Sequence, residues 1–132
     1  MNINPNQIIS DTGAGPMPRK RSKYRNKRVM YKGIWFDSVA EKRRYMELEI
    51  ALAAKDIKDL ECQPKFLLQD KFEDRNGNKH RAIHYIADFK YFDRSTGEMV
   101  VEDVKGKETK DFKIKMKLFL KKYPQYVFRL VK

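Results

Sequence analysis

Tyr85-Ile86-Ala87-Asp88-Phe89-Lys90-Tyr91-Phe92, then Asp93-Arg94-Ser95-Thr96-Gly97, then Met99-Val100-Val101-Glu102-Asp103-Val104-Lys105-Gly106: two runs rich in β-branched and aromatic residues enclose a segment of turn formers, and the whole reads as a β-hairpin. The hairpin carries charge where a strand core is usually apolar. Side chains alternate along a strand, so Asp103 and Lys105 share a face. A four-residue loop, Arg94 to Gly97, sets Asp88 opposite Asp103. A five-residue loop sets Asp88 opposite Glu102 instead. In either register, acids and a lysine converge on a small patch of sheet.

Upstream, Leu60 to Leu68 reads as one strand, with Pro64 marking an edge or a bulge. Asn76-Gly77 is a hairpin turn that leads the chain back through His80 and His84, so residues 60–105 form a three-stranded antiparallel meander. Ser38-Val39-Ala40-Glu41 is a capping box opening a helix over residues 39–55. Before it, Val29-Met30-Tyr31 and Ile34-Trp35-Phe36 flank Lys32-Gly33 as a compact hairpin, with Trp35 and Phe36 expected in the core. Downstream of Gly106, a helix over residues 109–123 presents Phe112, Met116, Phe119, Leu120 and Tyr123 as one apolar face. Pro124 stops it, and residues 126–131 form a last strand. The order after the N-terminal hairpin is α-β-β-β-α-β. The strand with Asp103 and Lys105, flanked by Val100, Val101 and Val104, is expected to be central and buried.

The chain has 132 residues and a formal net charge of +12, which suits one domain and a polyanionic partner, nucleic acid above all. Residues 1–28 form a flexible basic arm. Arg19, Lys20, Arg21, Lys23, Arg25, Lys27 and Arg28 put seven basic residues in ten positions. Their expected role is phosphate contact, against the plainer one of a solvated tail. Residues 29–132 form the single folded domain. One cysteine, Cys62, excludes an internal disulfide and a Cys-rich zinc site. No apolar run approaches a membrane span and no signal-peptide core opens the chain, so a cytoplasmic protein without a membrane partner is expected. Nothing in the sequence asks for an organic cofactor.

Acids meeting on a sheet repel unless something compensates, and a divalent cation is the usual compensation. Oxygen ligands suit Mg²⁺ or Mn²⁺. Beside phosphates such a metal polarises a phosphoryl oxygen and activates water, and a lysine orients the water or offsets charge in the transition state. Asp88, Asp103 and Lys105 fit those roles. On spacing alone, Asp103 and Lys105 equally fit a surface ion pair. Glu41 has a complete explanation as the partner of Ser38 in the capping box. His80 and His84, four apart in a predicted strand, share a face. With no third ligand nearby they read as polar strand residues rather than zinc ligands.

The motifs Phe36-Asp37-Ser38-Val39-Ala40-Glu41, Gln63-Pro64, Tyr85-Ile86-Ala87-Asp88-Phe89 and Val101-Glu102-Asp103-Val104-Lys105-Gly106, in this order over residues 38–131, resemble the PD-(D/E)xK nuclease superfamily, and within it small phage-associated endonuclease-like proteins. Holliday-junction resolvases and restriction-like endonucleases share that core. The resemblance implies an α/β fold with a restriction-endonuclease-like αβββαβ core, a mixed central sheet flanked by two helices, and an N-terminal β-hairpin. It selects Asp103 over Glu102. Asp88 and Asp103 become metal ligands, the Val104 carbonyl a third, Lys105 the catalytic lysine, and Glu41 an acid reaching the site directly or through water. Ala87 stands where the family label has proline, a backbone feature and not a ligand. Gln63, Thr109, Lys113, Lys115 and Lys117 would contact nucleic acid around the site. The implied activity is Mg²⁺- or Mn²⁺-dependent endonuclease hydrolysis of DNA, directed by branched or junction structure in phage DNA metabolism. The competing reading is a non-catalytic nucleic-acid-binding protein on the same fold. A monomer holds one site, so a double-strand or symmetric junction cut needs a homodimer, with the N-terminal hairpin around Trp35 a candidate interface.

Overall fold

The computed structural model describes residues 27–132. Arg19, Lys20, Arg21, Lys23 and Arg25 therefore lie outside the described residues. The chain divides into two compact units, one ending at Val39 and one running from Ala40 to Lys132.

In the first unit, β1 (Val29–Tyr31) pairs antiparallel with β2 (Ile34–Phe36), in the register Val29↔Phe36, Met30↔Trp35, Tyr31↔Ile34. The two-residue turn has both Lys32 (φ 51°) and Gly33 (φ 81°) in the left-handed region, which matches the twist of the flanking strands. Phe36 is buried as expected, but Trp35 is 39% exposed. Pairing opposite the exposed Met30 puts its ring on the outer face, where the Arg28 guanidinium lies 5.0 Å from the ring centre.

The second unit is built on helix α1 (Val39–Ala53), strands β3 (Ile57–Cys62), β4 (Lys65–Gln69), β5 (Phe72–Glu73), β6 (Lys79–His80), β7 (Ile83–Ile86), β8 (Phe89–Asp93) and β9 (Glu98–Val104), helix α2 (Lys110–Lys122) and strand β10 (Val127–Val131). The main sheet has the order β10-β9-β8-β3, with β9 and β10 parallel and the other pairs antiparallel. The protein is thus α/β with a mixed central sheet and two helices. β9 is an inner strand, and its residues from Val100 to Val104 are all buried.

Two long strands of the sequence reading are each broken in two. Residues 60–68 divide at Gln63-Pro64, and residues 85–92 divide at Ala87-Asp88. Pro64 has no N–H to donate, and Gln63 turns into the left-handed region at φ 54°. The breaks face each other and are stitched together: Gln63 N donates to the Asp88 carbonyl at 2.8 Å and Ala87 N to the Pro64 carbonyl at 3.1 Å. β4 and β7 then pair with each other as a separate ribbon, beyond which β5 and β6 close around the Asn76-Gly77 turn. His80 and His84 fall in different ribbons as a result. The break also switches faces. Tyr85 and Ala87 belong to the cluster under α2 with Phe66, Val101, Phe112 and Phe119, whereas Phe89 stacks on Tyr45 of α1.

Helix α2 starts where Thr109 Oγ1 accepts from the Phe112 N–H at 3.1 Å, an N-cap. Its apolar face is narrower than the spacing suggests: Phe112 and Phe119 are buried, but Leu120 is exposed. It lies a third of a turn away from Phe119.

Candidate functional site

Strand β9 brings two adjacent carboxylates into the interior, Glu102 at 0% and Asp103 at 1% exposure. Adjacent residues on a strand point to opposite faces, and the two have different surroundings. Glu102 is saturated. Arg44 of α1 donates to it twice, Nε to Oε1 at 2.8 Å and Nη2 to Oε2 at 2.7 Å, and the Tyr91 hydroxyl also donates to Oε2. That hydrogen-bonded pairing with Glu102 holds the Arg44 guanidinium well above its usual pKa. Burial, then the bond to Glu102, pushes the Tyr91 phenol up to about 12. A buried charge so paired is structural.

Asp103 is not saturated. The Tyr85 hydroxyl donates to Oδ2. Oδ1 is buried with no hydrogen bond, and the Lys105 ammonium stands 3.3 Å from it. Lys105 is itself held above the Phe112 ring, 4.9 Å from its centre. The expectation that Asp103 and Lys105 share a face holds, and the pair is not a surface one.

The hairpin register runs Asp93↔Glu98 through Phe89↔Glu102, so the loop is the four residues Arg94 to Gly97. One step beyond, at the break, Asp88 falls at the level of Asp103. Asp88 N donates to the Glu102 carbonyl at 3.0 Å, and Asp88 Oδ2 accepts from Val104 N at 2.6 Å. Burial, then the negative charges of Asp103 and Glu41, push the Asp88 carboxyl up to about 8, against the opposing pull of the Val104 N–H and Lys105. Glu41, in the first turn of α1, is thereby within electrostatic reach of Asp88. Each aspartate spends one oxygen on the fold. Val104 is buried and enters the site through its N–H.

Two aspartates and a lysine therefore meet at one end of β9, with Glu41 near enough to be felt by Asp88 through its charge. Among the described residues, no group of three or more His, Cys, Asp and Glu side chains is placed to hold a metal ion. The donor set at hand is the pair Asp88 and Asp103. Hard carboxylate oxygens, one of them buried without a hydrogen bond, and a neighbouring carboxyl whose pKa is raised by burial and then by like charge fit a divalent cation that takes its remaining ligands as water. The residues fit Mg²⁺ or Mn²⁺ in that sense.

The expected nucleic-acid contacts divide. Gln63 is exposed and bonded through its N–H to Asp88, at the rim of the site. Thr109 has its hydroxyl committed to the α2 cap. Lys113 and Lys117 are exposed and one turn apart on α2. Lys115 does not join them: it lies on the opposite flank, half-buried, 4.0 Å from Asp111. His80 is engaged with Asp74 at 2.8 Å and stacked on Phe72. Cys62 is half-buried, and burial pushes its thiol pKa up, the opposite of an activated nucleophile.

Sequence reasoning missed Tyr85, Phe112 and Arg44. Arg44 had left a signal: it lies one turn beyond Glu41 on the inward side of α1, where a guanidinium requires a buried acid. No curated protein and no solved structure matches the chain. A family model does, over residues 21–132, and the chain belongs to that family, described as a protein of unknown function, DUF1064.

Proposed function

We propose that this protein is a Mg²⁺- or Mn²⁺-dependent endonuclease that hydrolyses phosphodiester bonds of DNA on a restriction-endonuclease-like, PD-(D/E)xK-type core, with branched or junction DNA as its substrate class. One observation carries the reading: Asp88 and Asp103 meet at the end of a buried inner strand with Lys105 at 3.3 Å from the unbonded Asp103 Oδ1. A protein of net charge +12 that only bound phosphates gains nothing from buried acids at that place.

In this reading Asp88 and Asp103 are the residues that would hold the cation. The cation would polarise the phosphoryl oxygen and lower the pKa of a bound water. Lys105 orients the attacking water and offsets the negative charge of the pentavalent phosphorus as the bond to the leaving oxygen breaks. Phe112 fixes the height of the Lys105 ammonium, and Tyr85 fixes the rotation of the Asp103 carboxylate. Glu41 serves from α1 as a neighbouring acid, and Gln63, Lys113 and Lys117 as contacts to flanking phosphates.

The test incubates supercoiled, linear, single-stranded and four-way-junction DNA, and RNA, with Mg²⁺, Mn²⁺ or chelator. Metal-dependent cleavage that is lost in both Asp103→Ala and Lys105→Ala is expected. Cleavage that survives in the variants sinks the site assignment. Binding without cleavage on every substrate favours the non-catalytic binding protein instead.

A further inference from the structure

We propose that the outward face of α1 is a two-fold interface with a second copy of this chain, the two helices running antiparallel. The inference does not depend on the nuclease reading.

A helix covering a sheet from one side should be apolar inward and polar outward. α1 breaks that pattern. Leu48 is buried inward, yet Met46, Ile50 and Ala53 recur one turn apart on the opposite side. Met46 is 39% and Ile50 71% exposed, and Ala53 and Ala54 beyond them are exposed too. A β-branched residue left that open in a helix interior is costly in propensity and gains no burial in the single chain.

The charges flanking this stripe identify what covers it. Lys42 and Glu49, two turns apart, lie on one flank. Arg43 and Glu47, one turn apart, lie on the other. The midpoint of the first pair falls between Tyr45 and Met46 and that of the second at Tyr45, about 0.75 Å of helix rise away, close enough for long side chains to share one axis. When two identical helices pack antiparallel about a two-fold axis, each flank meets itself, and residues equidistant from the axis come together. An axis at that level sets Lys42 against Glu49 of the partner subunit, and Arg43 against Glu47 of the partner subunit. Both matches repeat by symmetry. Glu47 already bonds Arg44 of its own chain at 2.7 Å, and two guanidinium groups on one carboxylate are compatible at a surface. A parallel pairing would instead bring opposite flanks together at the same level, Lys42 against Arg43 of the partner subunit and Glu49 against Glu47 of the partner subunit, which repels. Met46 lies beside the axis, and Ile50 falls over the aliphatic stems of Lys42 and Arg43 of the partner subunit. The apolar stripe supplies affinity, and the charges select the orientation. Because the same helix carries Glu41 and Arg44 on its inward side, the interface would couple two site-bearing units back to back.

Sedimentation velocity of the full, nucleic-acid-free chain over roughly a hundredfold range of concentration tests this through the mass-action shift toward dimer. The wild type is expected to pass from monomer to dimer. Ile50→Asp should be monomeric throughout and, at concentrations where the wild type is also monomeric, melt as the wild type does, since the side chain it replaces is exposed. Lys42→Glu should weaken the dimer by roughly tenfold, and Lys42→Glu with Glu49→Lys should restore it. A wild type that stays monomeric, an Ile50→Asp that dimerises like the wild type, or a charge exchange that fails to restore association overturns the proposal.

Discussion

At the residue scale, Glu102 and Asp103 show how one position along a strand separates an acid with every oxygen bonded from one with an oxygen left over. Their chemistry is nearly the same and both are buried, but Glu102 has hydrogen bonds from Arg44 to both oxygens, whereas Asp103 Oδ1 has only the Lys105 ammonium at 3.3 Å and no hydrogen bond. Asp88 bears the cost of the mismatch. Its carboxyl is ionised above pH 4 in the unfolded chain and protonated up to about 8 in the metal-free fold, raised from 3.8 by burial and its acidic neighbours. The fold therefore binds a proton that the unfolded chain has lost, and stability falls as pH rises through that window. Below it Asp88 is neutral in both states and contributes nothing. Urea denaturation of the metal-free wild type should show a loss of a few kcal/mol between pH 5 and pH 8.5. Asp88→Asn, which keeps an acceptor for the Val104 N–H, should remove most of that loss. Mn²⁺ should restore the wild type at the higher pH and leave the variant unmoved. Identical pH slopes in the two proteins would refute this account of Asp88.

At the element scale, α1 is fastened to the inner strand by a charge and not by a large apolar face. Arg44 makes its two bonds to Glu102 of β9, and Arg129 of β10 reaches Tyr91 and Asp93 of β8 at 3.2 and 3.3 Å. Arg44→Ala strands the Glu102 carboxylate in the interior, with an expected cost of about 3–5 kcal/mol. Arg44→Leu with Glu102→Leu should recover most of that stability, since an apolar pair needs no desolvation of charge. Thermal or urea unfolding measures both, and a double variant no better than Arg44→Ala would count against the pairing. This fastening was illegible in the sequence because its partners are 58 residues apart and nothing local marks Glu102. The helices were legible, since capping residues and apolar spacing are local signals. The breaks were half legible: Pro64 announces its own, but Ala87-Asp88 breaks only because it lies opposite Pro64. Trp35 was misplaced for a related reason. A three-residue strand carries no alternation long enough to say which side faces in.

At the scale of the whole molecule, the α/β class was legible in the order of the elements, and Asp88, the Glu102-Asp103 pair and Lys105 were legible as charges gathered on one hairpin, whereas Glu41 was named only by the family resemblance. The choice between Asp103 and Glu102 was not legible in spacing, since four- and five-residue loops suit the same turn residues. Net charge is the property that no single contact explains. The +12 is spread over the arm and the folded part, and the proposed function assigns it to phosphates. Neutralised phosphates release counterions, so the logarithm of affinity for duplex DNA should fall linearly with the logarithm of salt concentration. Replacing Arg19, Lys20, Arg21, Lys23 and Arg25 by alanine removes five cations. If all five contact phosphate, the slope should flatten by about 4.5, with affinity lost evenly across sequences and junctions. Replacing Lys113 and Lys117 should flatten it by about 2 and also slow cleavage, because those contacts position the strand at Lys105. Fluorescence anisotropy across a salt series separates the two sets. An arm variant with a slope parallel to the wild type would reduce those five residues to a solvated tail and leave the phosphate contacts to the folded part alone.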